Sequence, residues 1–399
     1  MKTNIPSNPL KPVRRFKASL LTASVVAALT MTHASSSEAE ARINTAYGDS
    51  ALFSIISGEA NSAFGNEALK FNTTGNYNTA NGAYALTINS IGNHNTANGS
   101  AALFWNNGNY NTANGSDALF YNKGNNNTAN GYQALYSNNG DRNTANGAAA
   151  LLQNTTGFSN TATGRSALEQ NIGGNYNTAN GIYALKLNIS GSNNNANGLA
   201  ALGSNTTGSD NTADGAHALY KNTTGKRNTA LGYAADVARG NLSNATAIGY
   251  NAKVNASNKV RIGNKAITVI EGQVPWTSTS DQRLKNHITD LPLGIDFIGK
   301  LRPVEYIRNN NSAKTKEWGI IAQELKQTLK NIDYKDAGIV TEDVAPEKYL
   351  TVRYNDLLAP MIKAIQEQDK KINEQEEKMQ DQQKTIAALL TRIEALEKR

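Results

Sequence analysis

Asn78–Leu86 reads NTANGAYAL, and copies follow at Asn95–Leu103 (NTANGSAAL), Asn111–Leu119 (NTANGSDAL), Asn127–Leu135 (NTANGYQAL) and Asn143–Leu151 (NTANGAAAL). The same frame runs from about residue 43 to residue 265. Its glycines are Gly48, Gly65, Gly82, Gly99, Gly115, Gly131, Gly147, Gly164, Gly181, Gly198, Gly215, Gly232 and Gly249, spaced 16 or 17 residues apart. An alanine stands two residues before each glycine, from Ala46 to Ala247, and another three residues after, from Ala51 to Ala252. Leucine follows that second alanine in the first eleven copies, from Leu52 to Leu219. A fixed period, short strand-compatible segments and turn residues at constant offsets predict a β-solenoid with one coil per copy. Alanine and leucine favour helix, but a glycine and several asparagines in each copy would break it every time. The small residues imply close approach of backbone to backbone, and the leucine column is the expected core.

The residue before each motif glycine is asparagine in most copies (Asn81, Asn98, Asn114, Asn130, Asn146, Asn180, Asn197), changing to Leu231 and Ile248 at the end. Turned inward, these amides would have to form a hydrogen-bonded ladder, because unpaired buried amides are costly. A narrow coil of small residues also buries little apolar area, which favours association of several chains. Catalysis in the repeat is not expected: the acids Glu59, Glu67, Asp117, Asp141, Glu169, Asp210 and Asp214 fall at scattered repeat positions, whereas a glycosidase needs two facing carboxylates. The column Thr79, Thr96, Thr112, Thr128, Thr144, Thr161 and Thr178 raises an ice-binding reading, but one threonine column is more simply a strand-favouring ladder. Tyr77, Tyr110 and Tyr176 are candidates for surface adhesion or for packing between coils.

The 399 residues suffice for two or three domains, and the formal net charge is +7. No aromatic-plus-arginine cluster accompanies that charge, so no nucleic-acid partner is expected. There is no cysteine, which removes disulfides, thiolate metal sites and cysteine nucleophiles. His33, His94, His217 and His287 lack metal-ligand spacing, so neither a metal nor another cofactor is expected. At the N-terminus, Lys11, Arg14, Arg15 and Lys17 precede an apolar run from Ala18 to Thr32, followed by small residues around Ala34 and Ala39–Ala41. That order is a secretory signal, with an uncleaved membrane anchor as the alternative.

The repeat stops near Pro275 and Trp276, and Thr277–Lys285 (TSTSDQRLK) opens a charged region of different composition. A serine and a lysine five residues apart form a nucleophile–base pair if they meet, since a serine hydroxyl is weak until a base accepts its proton. Lysine can serve when burial or a nearby cation, here Arg283, lowers its pKa. A helix starting at Ser280–Asp281 would bring free N–H groups as an oxyanion site. The plainer reading has Ser280 capping that helix and Lys285 in solvent. Further on, LRPVEY and YLTVRY read as strands, and WGIIAQELKQTL as a strand end entering a helix. Gln323 and Glu324 are read as subunit contacts or a solvated face, and His287 as a surface residue. From Ile365 a heptad sets in, with Ile365, Ile372, Met379, Ile386 and Ile393 on one seam. Such a helix needs partners, and the pattern admits a trimer.

Two resemblances follow from these motifs. The repeats, strongest at TALGYAA and ATAIGYNAKV and closing at VRIGN (Val260–Asn264), resemble the head repeats of trimeric autotransporter adhesins. That implies a left-handed parallel β-roll associating as three chains. The chain ends LEALEKR, without those adhesins' barrel strands, so no transmembrane anchor is expected in the mature chain. SDQRLK, LRPVEY, WGIIAQEL and YLTVRYNDLL together resemble the intramolecular chaperone domain of endosialidase-type tail spikes. The resemblance implies that this domain assists trimer assembly and then severs the bond before its motif serine. It makes Ser280 the nucleophile, Lys285 its base and Thr279–Ser280 the scissile bond, with Asp281 and Arg283 as orienting residues. The expected organisation is a signal peptide (1–41), a mainly β solenoid head (42–272), a linker with the cleavage site (273–279), a small α+β chaperone (280–362) and a coiled coil (363–399). The expected partners are two further copies of the chain and a receptor on a host surface or in a polysaccharide.

Overall fold

The computed structural model describes residues 43–334, 338–342 and 348–398; the expected signal peptide lies outside the described residues. The head is a β-solenoid of about thirteen turns, as the repeat predicts. Each coil contributes one short strand, typically Thr-Ala-Asn as in Thr79–Asn81, and these stack as a 14-stranded parallel sheet from Thr45–Tyr47 to Lys259–Ile262. The register follows the sequence repeat: Thr79 faces Thr96, Ala80 faces Ala97 and Asn81 faces Asn98.

Alternation along each strand decides what is inside. The central alanine is buried in every coil from Ala63 to Ala247, so the threonine and asparagine flanking it face outward. The Asn81 column therefore lines the outside and forms no buried ladder; partway along it, Asn98, Asn114, Asn130 and Asn146 join side chain to side chain at 2.9, 2.7 and 2.7 Å. Two other asparagine columns fill the interior. One precedes the strand threonine (Asn61, Asn78, Asn95 and onward to Asn228); the other follows the leucine by three residues (Asn72, Asn89, Asn106 and onward to Asn222). Asn78 Nδ2 donates to Asn61 Oδ1 at 3.1 Å and to Gly92 O at 2.8 Å, while its backbone N–H donates to the same Asn61 Oδ1 at 3.0 Å. Asn89 Nδ2 donates to Asn72 Oδ1 and Gly92 O. Each amide is thus satisfied by the coils beside it, which removes a penalty of about 1–3 kcal/mol per group.

The leucine column is the apolar core, with Leu69 to Leu219 fully buried. All eleven leucines are left-handed, at φ 49° to 53°. That conformation costs a side-chain-bearing residue about 1–2 kcal/mol, and it is held by inter-coil bonds such as Leu69 N–H to Ala85 O at 3.0 Å. Glycine is required in a second column too: a Cβ on Gly140 would lie 1.8 Å from Gly157 O.

The three coils of 16 residues differ from the rest. Shortened by one residue, they replace a turn with two-residue strands, Trp105–Asn106, Tyr121–Asn122 and Ser137–Asn138, which form a second, three-stranded parallel sheet.

Beyond the head, residues 264–281 carry no strand or helix. A small α+β region follows, with antiparallel pairs Val304–Tyr306 with Glu317–Gly319 and Val340–Glu342 with Leu350–Val352. Helix α1 (Ile295–Ile298), helix α2 (Ala322–Asn331) and the 40-residue helix α3 (Leu358–Glu397) complete it. Its core gathers Leu293, Phe297, Leu325, Leu329, Ile339 and Leu357. Helix α3 reaches back to α1, where the Glu367 carboxylate accepts the Ile295 N–H at 2.8 Å. Farther along α3 the heptad residues stand in solvent: Ile372 is 45 % exposed and Ile386 56 %.

Candidate functional site

Ser280 lies at the end of the extended, exposed stretch that leaves the head. Directly after it the chain makes one 3-10 turn, Gln282–Leu284, closed by Leu284 N–H to Asp281 O (3.1 Å) and Lys285 N–H to Gln282 O (3.0 Å). The residue capping this turn is Asp281, whose Oδ1 accepts the Arg283 N–H at 2.8 Å. The anticipated Ser280 cap is therefore replaced by its neighbour, and Ser280 Oγ instead receives a hydrogen bond from Lys285 Nζ at 2.7 Å. One tight turn is what folds the lysine back over the serine five residues earlier.

Arg283 and Asp281 hold the turn from its other side. The guanidinium reaches the carboxylate through Nη2 at 2.7 Å and through Nε at 3.1 and 3.2 Å. These bonds keep the Asp281 carboxyl below the usual carboxylate range and raise the Arg283 guanidinium. The cation expected to act on Lys285 thus has its charge balanced by Asp281. The helix-start oxyanion site also changes: the Arg283, Leu284 and Lys285 N–H groups are all engaged within the turn and are not free to meet a developing oxyanion. Thr279, Ser280, Lys285 and His287 are exposed in the single chain, and His287 Nδ1 meets Asn286 Oδ1 at 3.1 Å.

The motifs behind the turn fall where the sequence places them. Val304–Tyr306 and Leu350–Val352 are strands, and Glu317–Gly319 leads into α2. Glu324 pairs with Arg302 of its own chain, which lowers the Glu324 carboxyl, while Gln323 remains exposed. Trp318, on the strand that leads into α2, is 84 % exposed, and Trp276 80 %. Alternation in EWG would have exposed it, since Trp318 alternates with its strand neighbours.

In the head, several of the scattered acids are engaged by neighbours: Glu67 by Lys70, Glu169 by Lys186, Asp141 by Asn125 and Asp214 by Asn197. Tyr77 and Tyr110 stack on His94 with ring centroids 4.7 and 4.8 Å apart. Sequence reading passed over Asp236. It occupies the leucine position of its coil, is only 5 % exposed, and accepts the backbone N–H groups of Val237 and Lys221 at 2.8 and 3.2 Å on one oxygen. Burial pushes its carboxyl up to about 6. The break in the leucine column was the available signal.

Among the described residues, no helix is long and apolar enough to cross a membrane. Comparison with curated proteins finds no match. Residues 280–334, which hold the serine–lysine turn, the first strand pair and α2 in their expected order, match the family described as chaperone of endosialidase.

Proposed function

We propose that the chain is an exported, homotrimeric fibre or adhesin-like protein whose C-terminal chaperone directs assembly and then cuts the bond between Thr279 and Ser280. The observation that carries this reading is the 2.7 Å approach of Lys285 Nζ to Ser280 Oγ at the boundary between head and chaperone. Support for assembly comes from α3, about 60 Å long, whose seam residues Ile365, Ile372, Met379, Ile386 and Ile393 are 45–66 % exposed in one chain. A seam of that kind finds its cover in partner helices. Export rests on the N-terminal leader sequence.

In the single chain the lysine donates to the serine; as a base it must accept. Packing of neighbouring chains around the turn would desolvate the amine and favour its neutral form. The amine then takes the Ser280 Oγ proton while Oγ bonds to the Thr279 carbonyl carbon. The C–N bond breaks and its electrons go to the Ser280 nitrogen, which takes up the proton from the lysine. The ester left on Ser280 Oγ is hydrolysed by water to a Thr279 carboxylate, freeing the serine hydroxyl. The chaperone leaves with Ser280 as its first residue, so each chain reacts once and no other substrate is needed. A head without its chaperone cannot re-register after unfolding, and would be kinetically trapped in its assembled form.

The test is expression of the parent beside Ser280→Ala and Lys285→Ala. The parent should give two fragments, the smaller beginning at Ser280; both variants should remain a single uncut chain. Whole parent chains would favour an uncut structural adhesin.

A further inference from the structure

The three short coils carry a feature that assembly and cleavage do not use. Phe104, Trp105, Phe120, Tyr121 and Tyr136 cluster on them, and the second sheet places Trp105 opposite Tyr121 in register. Phe104, Phe120 and Tyr136 form a half-buried stack, with centroids 4.9 and 5.1 Å apart. Tyr121 stands edge-on to two of them, Phe120 at 4.6 Å and Tyr136 at 5.7 Å. Trp105 and Tyr121 are each 47 % exposed and lie 6.4 Å apart, tilted by 42°. Neither ring covers the other's face, in contrast to Tyr77, His94 and Tyr110, which are within 5° of parallel. Below the rings, the ladder Asn138–Asn122–Asn106–Asn89 fixes the strands through amide bonds of 2.9, 2.8 and 2.7 Å. Exposed Asn107, Lys123 and Asn139 border them.

We propose that Trp105 and Tyr121 form a platform for a neutral saccharide chain, each ring stacking on the C–H face of a sugar while the bordering amides and Lys123 meet its hydroxyls. Size chooses the occupant. Three strands about 4.8 Å apart and two residues long present a footprint on the order of 100–200 Å². A protein partner held by this patch alone would need about 800 Å² a side. A rigid aromatic face with a polar rim suits a narrow ligand that is itself half apolar and half hydroxyl. Tyr121 is held edge-on by Phe120 and Tyr136, and Trp105 leans on Tyr121, so part of the side-chain freedom is already lost before binding. This goes beyond the cleavage reading and does not depend on it.

The test is affinity electrophoresis of the full chain through gels containing soluble starch, dextran, laminarin, galactomannan or, as an acidic control, alginate. At least one neutral polysaccharide should retard the parent and the Ser280→Ala chain equally. Trp105→Ala and Tyr121→Ala should each weaken that retardation by about ten-fold or more, with Trp105→Phe losing less and Tyr77→Ala little. Thermal midpoints of the exposed-ring variants should stay near the parent's, separating lost binding from lost folding. No retardation by any neutral polysaccharide overturns the proposal. So does a Trp105→Ala chain retarded like the parent, or one that changes only its oligomeric state.

Discussion

The head and the tail of this chain solve the same problem in opposite ways. In the head, polar groups find partners inside one chain: Asn78 is satisfied by Asn61 below it and Gly92 above. In the tail, apolar groups are left unsatisfied: Ile386, Met379, Trp318 and Trp276 stand more than half exposed. A coil needs only its neighbours, so the head grows by repetition of a local contact. A heptad seam is covered best by another helix, so on the proposed reading the tail is completed only by further chains. That reading puts the information for assembly in the part that the proposed reaction discards.

The strongest way to break that contrast is at the seam. Ile372→Asn combined with Ile386→Asn should abolish association of full chains in light scattering, and with it cut the yield of fragments by about ten-fold or more, since two polar residues on one seam remove the apolar contact that joins helices. Continued assembly of that variant would show that the head alone brings chains together.

Next in size is a change inside the head. Gly140→Ala would place a methyl group 1.8 Å from Gly157 O, and backbone cannot yield cheaply there. A loss of about 4 kcal/mol or more is expected, read as fast hydrogen exchange in the coils around residues 131–164. Because coils contact only neighbours, exchange near α2 should be unaltered. Loss of protection there would mean that head and tail unfold as one.

A smaller effect sharpens the contrast at the end of the head, where Asp236 interrupts the leucine column. Its carboxyl is raised to about 6 from an ordinary 3.8, so between those values the folded chain holds a proton that the unfolded chain has released. The folded state then binds more protons, and stability falls as pH rises from about 4 to 6 before levelling off. Asp236→Asn keeps the oxygen that accepts the Val237 and Lys221 N–H groups, so it should flatten that dependence. At pH 7 it should stabilise the last coils by on the order of 2–3 kcal/mol. An unchanged pH profile of hydrogen exchange there would contradict this account of the buried acid.

Much of the solenoid was legible because its constraints are local and repeated. Ala80, Leu86 and Gly82 recur at fixed offsets, and each has one physical role: interior spacing, core and close backbone approach. The asparagines show where such reading stops. Asn81 and Asn78 look alike in sequence, but with Ala80 inside, the strand must turn Asn81 out; alternation alone could have decided it. That Asn78 lies inward depends on the turn before the strand, where Tyr77 takes a left-handed φ of 57° that its residue type does not announce. The second sheet likewise hangs on one residue fewer in three coils, a change visible in the glycine spacing whose outcome needs the closed coil to be seen.

At the candidate site, sequence spacing brought attention to Ser280 and Lys285, and their meeting depends on a three-residue turn closed by Asp281. The cap fell one residue later than the serine, which leaves Ser280 Oγ for the lysine. The N–H groups of that turn are consumed in closing it, something only the hydrogen-bond pattern reveals.

The central question for this chain is whether the peptide between head and helper is opened by its own residues once chains have gathered. Intact-mass measurement on purified parent protein and on Lys285→Ala, each followed over time after assembly, asks this directly. The parent should resolve into a head ending at Thr279 and a fragment starting at Ser280, while the lysine variant stays a single species of full mass. A parent that keeps its full mass as a stable assembly, or a lysine variant cut as fast as the parent, would contradict it.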